Sequence, residues 1–172
     1  MSIIIAAKVP ETNDVVFGSD GRLNYEGGVC IQQPIAKYTH YDWGDVIGFT
    51  GVVEHEALVR EHYANTTDLL QALRLAHQEL NQGNRPHEGL ELEILWWYKD
   101  LFLVGGDRGV VGPYEYVAAG KPTGVALGVM DTLWRRMRTR NTGTIRQAIR
   151  TALGACAKYD TSCGPPFFVD VY

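Results

Sequence analysis

The sequence predicts an α+β fold in which two antiparallel sheets are stacked between two helix layers, a four-layer αββα sandwich. Two observations support this architecture. Short β-branched and aromatic runs bounded by turn residues open the chain, occupy its middle and close it. Two pairs of helical segments separate these groups of strands. Because every sheet and helix pair has an apolar face to bury, stacking the sheets between the helices covers all of these faces.

The first third of the chain predicts two hairpins. Residues 3–8 and 15–19 are β-branched runs, and the polar segment 10–14 between them contains strong turn residues. Gly27 and Gly28 mark a second break in the chain. Residues 38–41 and 46–50 flank Trp43-Gly44 and form a second strand pair.

The period then changes to that of helices. Residues 53–64 carry charges on one face and apolar side chains on the other. Thr67 or Asp68 can cap a second helix, which Gly83 and Pro86 end. The apolar stripe of this helix is predicted to contain Leu69, Leu73, Ala76 and Leu80.

The second half repeats the order of strands followed by helices. Strands are predicted at 90–98 and 101–104, with Trp96 and Trp97 in the core, then a turn at 105–109 and an extended segment at 110–119. Helices follow at about 123–138 and after Asn141, and residues 167–172 form the last strand. The last helix has one apolar face, made of Ile145, Ala148, Ile149, Ala152, Cys156 and Tyr159.

Composition narrows the classes of function. The 172 residues suit one domain, 1–172, and the net charge of −4 gives no basic field for nucleic acid or anionic lipid. No stretch approaches the roughly 20 apolar residues of a membrane helix, and no basic segment precedes the first apolar run as in a signal peptide. Three cysteines, Cys30, Cys156 and Cys163, match no zinc spacing. We therefore expect a reduced cytoplasmic protein with no metal and no cofactor.

The start of the chain holds a candidate nucleophile. Ser2 follows Met1 and precedes the first predicted strand. Removal of the methionine would leave a serine whose own α-amine, with an ordinary pKa of about 7.7–8.0, can serve as the base. One residue then supplies both nucleophile and base.

Several segments together carry a resemblance to a known family. Ser19-Asp20-Gly21-Arg22 follows the second strand, Lys37 begins the next strand pair, Gly48-Phe49-Thr50-Gly51 leads into a helix, and Asp160-Thr161-Ser162-Cys163-Gly164 lies near the end. In this order they resemble the proteasome β-subunit family of N-terminal-nucleophile hydrolases. The compact length and the segment 105–113 also resemble the bacterial ring peptidase that works with an ATP-dependent unfoldase.

The resemblance implies a role for each matching residue. Ser2 stands at the place of the nucleophile, which is usually threonine. Asp20 and Lys37 match the acid and the lysine beneath it, where the lysine lowers the pKa of the hydroxyl. Gly51 matches the glycine whose backbone N–H faces the oxyanion, and glycine there allows close approach. Asp160 matches the acid that supports the amine.

Two positions depart from the family pattern. Lys121 and Cys163 each stand where the family often has serine, and a thiol is the poorer hydrogen-bond partner. Near the family's first specificity pocket lie Ile35, Phe49 and Val53. Because all three are apolar, we expect an apolar or aromatic residue before the cut.

Three functions follow as hypotheses. The leading one is a threonine/serine-type peptidase that hydrolyses peptide amides of unfolded proteins in a self-compartmentalised homo-oligomeric ring, with an ATP-dependent unfoldase as partner. The second is a non-catalytic ring or scaffold subunit of the same fold, which Lys121 and Cys163 favour. The third is an N-terminal-nucleophile amidase or acyltransferase acting on a small amide.

Overall fold

The strands and helices follow the predicted order along the chain. The computed structural model describes residues 2–24, 30–32, 35–82, 89–105 and 109–172. The predicted breaks at Gly27-Gly28 and at Gly83 to Pro86, the centre of the 105–109 turn, and Met1 lie outside these residues. The strands are β1 (Ile3–Val9), β2 (Asp14–Asp20), β3 (Arg22–Asn24), β4 (Cys30–Gln32), β5 (Tyr38–His40), β6 (Val46–Gly51), β7 (Leu92–Tyr98), β8 (Asp100–Gly105), β9 (Gly109–Val111), β10 (Tyr116–Gly120) and β11 (Phe167–Val171). The helices are α1 (Val53–Thr66), α2 (Leu69–Gln82), α3 (Thr123–Arg136) and α4 (Thr142–Tyr159).

Among the described residues, the strands form two main antiparallel sheets and one small one. The first sheet has the order β10-β1-β2-β11, and the second has the order β5-β6-β7-β8-β9. Strands β3 and β4 pair separately. The predicted hairpins β1–β2 and β5–β6 are therefore confirmed.

Strand β1 lies in the centre of the molecule because both of its faces are covered. Ile3 and Ile5 pack with buried residues of α3 and α4 such as Met130. Ile4 points the other way and packs with Leu95 of the second sheet. A third cluster joins the second sheet to α1 and α2. The layers are thus helices, sheet, sheet and helices, as the sequence predicts.

Two helix starts are fixed by polar side chains. The side-chain oxygen of Asn141 accepts a hydrogen bond from Thr144 N at 3.0 Å and so caps the last helix, which begins after Asn141 as predicted. Of the two candidates before α2, Asp68 is the cap, since its Oδ1 accepts from the backbone N–H groups of Leu70 and Gln71.

Within the described residues, no helix combines the length and the apolar character that crossing a membrane requires.

The structure corrects five local predictions. Tyr159, predicted on the apolar face of the last helix, is 79 % exposed and lies outside the core. The segment 110–119 is not one strand: β9 ends at Val111 and β10 begins at Tyr116, with a Gly112-Pro113 bend between them. Helix α3 ends at Arg136 rather than 138. Trp96 is half-buried rather than core, since it lies at the edge of the α1–α2 cluster. On α2, the fully buried residues are Leu69, Ala72 and Ala76, whereas Leu73 and Leu80 lie at the margin.

Candidate active site

The candidate nucleophile lies at the beginning of the central strand. Ser2 is 8 % exposed and directly precedes β1. The neighbouring backbone N–H of Ile3 donates a hydrogen bond to Asp20 Oδ1 at 3.0 Å. Asp20 is the last residue of β2, which pairs with β1. The hairpin that the sequence predicts thus places the carboxylate beneath the start of the chain.

Lys37 meets the same carboxylate from the second sheet. Its Nζ lies 2.7 Å from Asp20 Oδ1 and donates to the carbonyl oxygen of Arg22 at 2.5 Å. The backbone N–H of Lys37 donates to Ser19 Oγ at 3.2 Å. The side chains of Lys37 and Asp20 are 7 % and 0 % exposed. The pair is therefore a buried ion pair with its polar atoms held by several hydrogen bonds, which is the condition under which such a pair is tolerated.

Burial also changes the acid–base character of Lys37. Removal from water lowers the pKa of its amine from the ordinary value, while the charge and hydrogen bond of Asp20 oppose the change. The result is a lysine whose proton is held less firmly than that of a surface lysine. Such perturbed groups in clefts are typical of functional sites.

A cleft of ≈ 330 Å³ opens beside Ser2 and Lys37. Six of the predicted site residues line this cleft, namely Ser2, Ile35, Lys37, Phe49, Gly51 and Val53. The aromatic ring of Phe49 is buried, whereas Val53 is 48 % exposed. The cleft thus contains the candidate nucleophile, its buried lysine and the three residues predicted to contact substrate.

Gly51 must be glycine, but for a reason that the sequence did not supply. Its φ is +137°, a conformation that side chains rarely adopt. A Cβ built there would lie 2.1 Å from the carbonyl oxygen of Glu91. The neighbouring backbone, rather than the space for an oxyanion, therefore excludes a side chain at this position.

Three further predicted residues lie near the end of α4. Lys121 Nζ is 3.6 Å from Asp160 Oδ2, and the lysine side chain is 56 % exposed. Asp160 Oδ1 accepts from Ser162 N at 2.8 Å, and these contacts hold the pKa of Asp160 below its usual range. Cys163 is buried in the α3–α4 core cluster, and burial raises the pKa of its thiol. The positive charge of Lys121 is thus matched by Asp160, and Cys163 is a neutral packing residue.

Sequence reasoning missed a carboxylate that links the two sheets at this edge. Glu93 Oε2 of β7 accepts a hydrogen bond from Gly120 N of β10 at 2.8 Å. Gly120 pairs with Ile3 and has φ +116°, and a Cβ on it would lie 1.9 Å from the carbonyl oxygen of Ser2. A signal exists in the sequence, since Glu93 lies two and four residues before Leu95 and Trp97 and so shares their inward face of the strand.

Further residues that line the cleft were also missed. Besides the predicted residues, Thr39, Glu56, Ala57 and Arg60 line it. The last three lie on α1, three, four and seven residues after Val53, so they share one helix face with it. That spacing groups them on one face of the helix, although it does not by itself indicate that this face meets the cleft.

The described part of the chain contains no group of three or more His, Cys, Asp or Glu side chains that could hold a metal ion. What the site offers is a hydroxyl, a buried amine with its carboxylate, and a cleft that could receive an extended chain. Such a set is suited to attack on a carbonyl group.

Comparison with known proteins relates the fold to solved structures. No family model and no curated protein matches the chain. Thiobacillus denitrificans BPH in complex with epoxomicin has a TM-score of 0.76 at 16 % identity, covering 100 % of this chain and 98 % of that one. The eukaryotic HslV of Trypanosoma brucei has a TM-score of 0.69 at 17 % identity, with 98 % of each chain covered. Anbu, an ancestral β-subunit from Yersinia bercovieri, has a TM-score of 0.75 at 14 % identity, covering 99 % and 81 %.

The chain therefore has the proteasome-like N-terminal-nucleophile hydrolase fold, of the kind seen in HslV and Anbu, that the residue pattern resembles. The likeness extends over nearly the whole of this chain. At these identities it establishes the fold, and the chemistry must be argued from the residues.

Proposed function

We propose that the protein is an N-terminal-nucleophile peptidase in which Ser2, exposed by removal of Met1, attacks the carbonyl carbon of a peptide bond. The observation that carries the proposal is the buried Lys37–Asp20 pair at 2.7 Å, with Lys37 and Ser2 lining the same cleft. A buried charge pair beside a candidate nucleophile can polarise the group next to it, and this supports the proposal.

The chemistry proceeds in two steps. The α-amine of Ser2 takes the hydroxyl proton as Oγ attacks, and the proton passes to the leaving amine as the peptide bond breaks. Water then attacks the resulting ester, and the proton it loses returns to Ser2 Oγ. Lys37 supplies positive charge near the nucleophile, and Asp20 keeps it oriented. The backbone N–H of Gly51 is the proposed donor to the oxyanion.

The proposed assembly is a ring of identical subunits that receives unfolded protein from an ATP-dependent unfoldase in the cytoplasm. It is supported by the fold likeness to HslV and Anbu. Light scattering should give a mass several times 19.1 kDa. A particle of that single-chain mass at micromolar concentration would contradict the ring.

One arrangement favours a second candidate, a non-catalytic ring subunit. Asp160, proposed to support the amine, is paired with Lys121, and the thiol of Cys163 is buried with a raised pKa. Neither Lys121 nor Cys163 offers the hydroxyl that the family often has at these two positions. If the amine of Ser2 cannot shuttle a proton in this setting, the chain keeps the fold and the ring without hydrolysis.

The deciding experiment combines intact mass with hydrolysis of fluorogenic peptide amides. The mass should correspond to the chain without Met1, and Ser2→Ala should remove hydrolysis by about 1,000-fold or more without lowering the melting temperature. Thr151→Ala, which removes an exposed hydroxyl on α4, is the matched control and should leave hydrolysis unchanged. Hydrolysis that survives Ser2→Ala would refute the nucleophile, and a processed but inactive chain would favour the second candidate.

A further inference from the structure

The cleft beside Ser2 has two kinds of wall. The lining side chains of Ile35, Ala36 and Val53 are apolar. Those of Glu56 and Arg60 on α1 and of Thr39 on β5 are polar. A substrate side chain that enters the cleft would thus have both hydrocarbon and polar groups within reach.

Arg60 is held in one place by contacts on three sides. Its Nε donates to Glu56 Oε1 at 2.8 Å, and its Nη1 donates to Thr39 Oγ1 at 2.6 Å. Its guanidinium carbon lies 4.4 Å from the centre of the Phe49 ring, within the range of a cation–π contact. Because the guanidinium is fixed and only about a quarter of each charged side chain is exposed, 27 % for Arg60 and 25 % for Glu56, the pair presents a fixed polar wall to the cleft.

The charges of this wall restrict what can occupy the cleft. Glu56 and Arg60 balance each other, so a charged substrate side chain would be attracted by one and repelled by the other, with little net gain to offset the loss of its hydration. A purely apolar side chain would exclude water from Glu56 and Arg60 without replacing the hydrogen bonds that water makes to them. This loss is unfavourable. A hydroxyl can donate to a carboxylate and accept from a guanidinium at the same time.

We propose that the Glu56–Arg60 pair selects a tyrosine side chain immediately before the cut amide, in preference to phenylalanine. The inference rests on the proposed peptidase function, since it names the substrate of that site. It refines the expectation from Ile35, Phe49 and Val53, which predicted an apolar or aromatic residue without distinguishing the two aromatic side chains. Arg60 and Glu56 are then specificity-determining residues rather than catalytic ones.

The test separates recognition from chemistry by measuring binding to the Ser2→Ala variant. Two labelled peptides that differ only in a tyrosine or a phenylalanine before the target amide are titrated by fluorescence polarisation. Tyrosine should bind about 10- to 100-fold more tightly, the range expected when a hydrogen bond to a charged group is otherwise left unmade. Equal affinities would overturn the proposal.

Further variants assign the preference to the pair. In the Ser2→Ala background, Glu56→Gln with Arg60→Met keeps the bulk of both side chains and should bring the affinity ratio close to one. Arg74→Met, which removes an exposed arginine on α2, is the control and should keep the preference. If the double variant melts early, Glu56→Gln alone should still reduce the ratio. A ratio that survives either change would contradict the role of the pair.

Hydrolysis by the unmodified chain is read separately. Cleavage of both peptides at equal kcat/KM, with equal binding, would leave the peptidase and remove the tyrosine preference. Preferential binding of the tyrosine peptide, with no cleavage of either one, would keep the recognition pocket and refute the peptidase.

Discussion

Helix α1 and helix α4 cover opposite faces of the sandwich and are used differently. Along its 18 residues α4 buries six side chains, which are Ile145, Ala148, Ile149, Ala152, Leu153 and Cys156. Over 14 residues α1 buries two, Val59 and Tyr63, and it gives another face to the cleft. The helix with the largest buried face and the helix that lines the cleft therefore lie on different sides of the molecule. Substitutions should therefore separate stability from activity.

Lys37 is the residue at which stability and activity are least separable, because it lines the cleft and also belongs to a buried ion pair. Lys37→Met should reduce hydrolysis by about 1,000-fold, since members of one catalytic unit act together. It should also lower the free energy of unfolding by about 3–5 kcal/mol, because Asp20 is left buried without its cation.

Adding Asp20→Asn to Lys37→Met should restore much of the stability without restoring hydrolysis. Urea denaturation and peptide hydrolysis measure the two effects. Recovery of hydrolysis in the double variant would show that the charge pair does not assist the nucleophile.

One truncation on each helix should have different effects on stability. Ile149→Ala on α4 should cost about 2–5 kcal/mol of unfolding free energy, because it opens a cavity in a fully buried cluster. Val53→Ala on α1 should change stability by less than about 0.5 kcal/mol, since that side chain is half exposed, while altering KM for peptides. Chemical denaturation of both variants provides the check, and equal losses would contradict the division of roles.

Substitutions at the first residues of α4 and α1 should have smaller effects on stability. Asn141→Ala removes the cap of α4 and should cost about 1 kcal/mol. Helix α1 begins after Val52, which provides no side-chain cap. Val52→Ser should therefore stabilise the chain by about 0.5–1 kcal/mol. Thermal melting of the two variants should show shifts of opposite sign, and a loss of stability in Val52→Ser would indicate that packing of the valine matters more than the cap.

The smallest expected effect is on the stability of the fold at acidic pH. The pKa of Asp160 is lowered by hydrogen bonds from Ser162 and by the charge of Lys121, so its ionised form favours the folded state. That contribution is present above the ordinary value of 3.8 and disappears as the pH falls through the lowered pKa. Asp160→Asn should accordingly flatten the loss of stability below about pH 4. Denaturation curves between pH 3 and pH 6 measure it, and an unchanged slope would show that the carboxylate adds no net stability.

Much of the fold could be predicted because local signals agree with the final packing. The turn residues after β1, the cap at Asn141 and the alternation along β7 each specify an element without reference to the others. The predictions that are wrong concern strand ends and burial that are set by packing between distant segments. The bend at Gly112-Pro113 separates β9 from β10, and the extent of α1 and α2 leaves Trp96 half-covered.

The candidate site was predictable only in part. Asp20 and Lys37 follow from residue order and are found in contact. Which residues of α1 face the cleft depends on the rotation of the helix against the second sheet, which helical spacing alone does not fix. The contact of Glu93 with Gly120 depends on how the two sheets are stacked. The roles assigned to Ser2, Gly51 and Asp160 remain predictions.

The position of Ser2 has a practical consequence for handling the protein. Strand β1 has a neighbour on each side, β10 and β2, and it begins at the cleft. An affinity tag fused ahead of Ser2 would remove the free α-amine of that residue and would be joined to the chain beside the cleft. A tag after Tyr172, whose backbone bonds to Val15 at the far end of β2, avoids both effects. Immobilisation through the end of the chain is thus the orientation that leaves the candidate site free for assay.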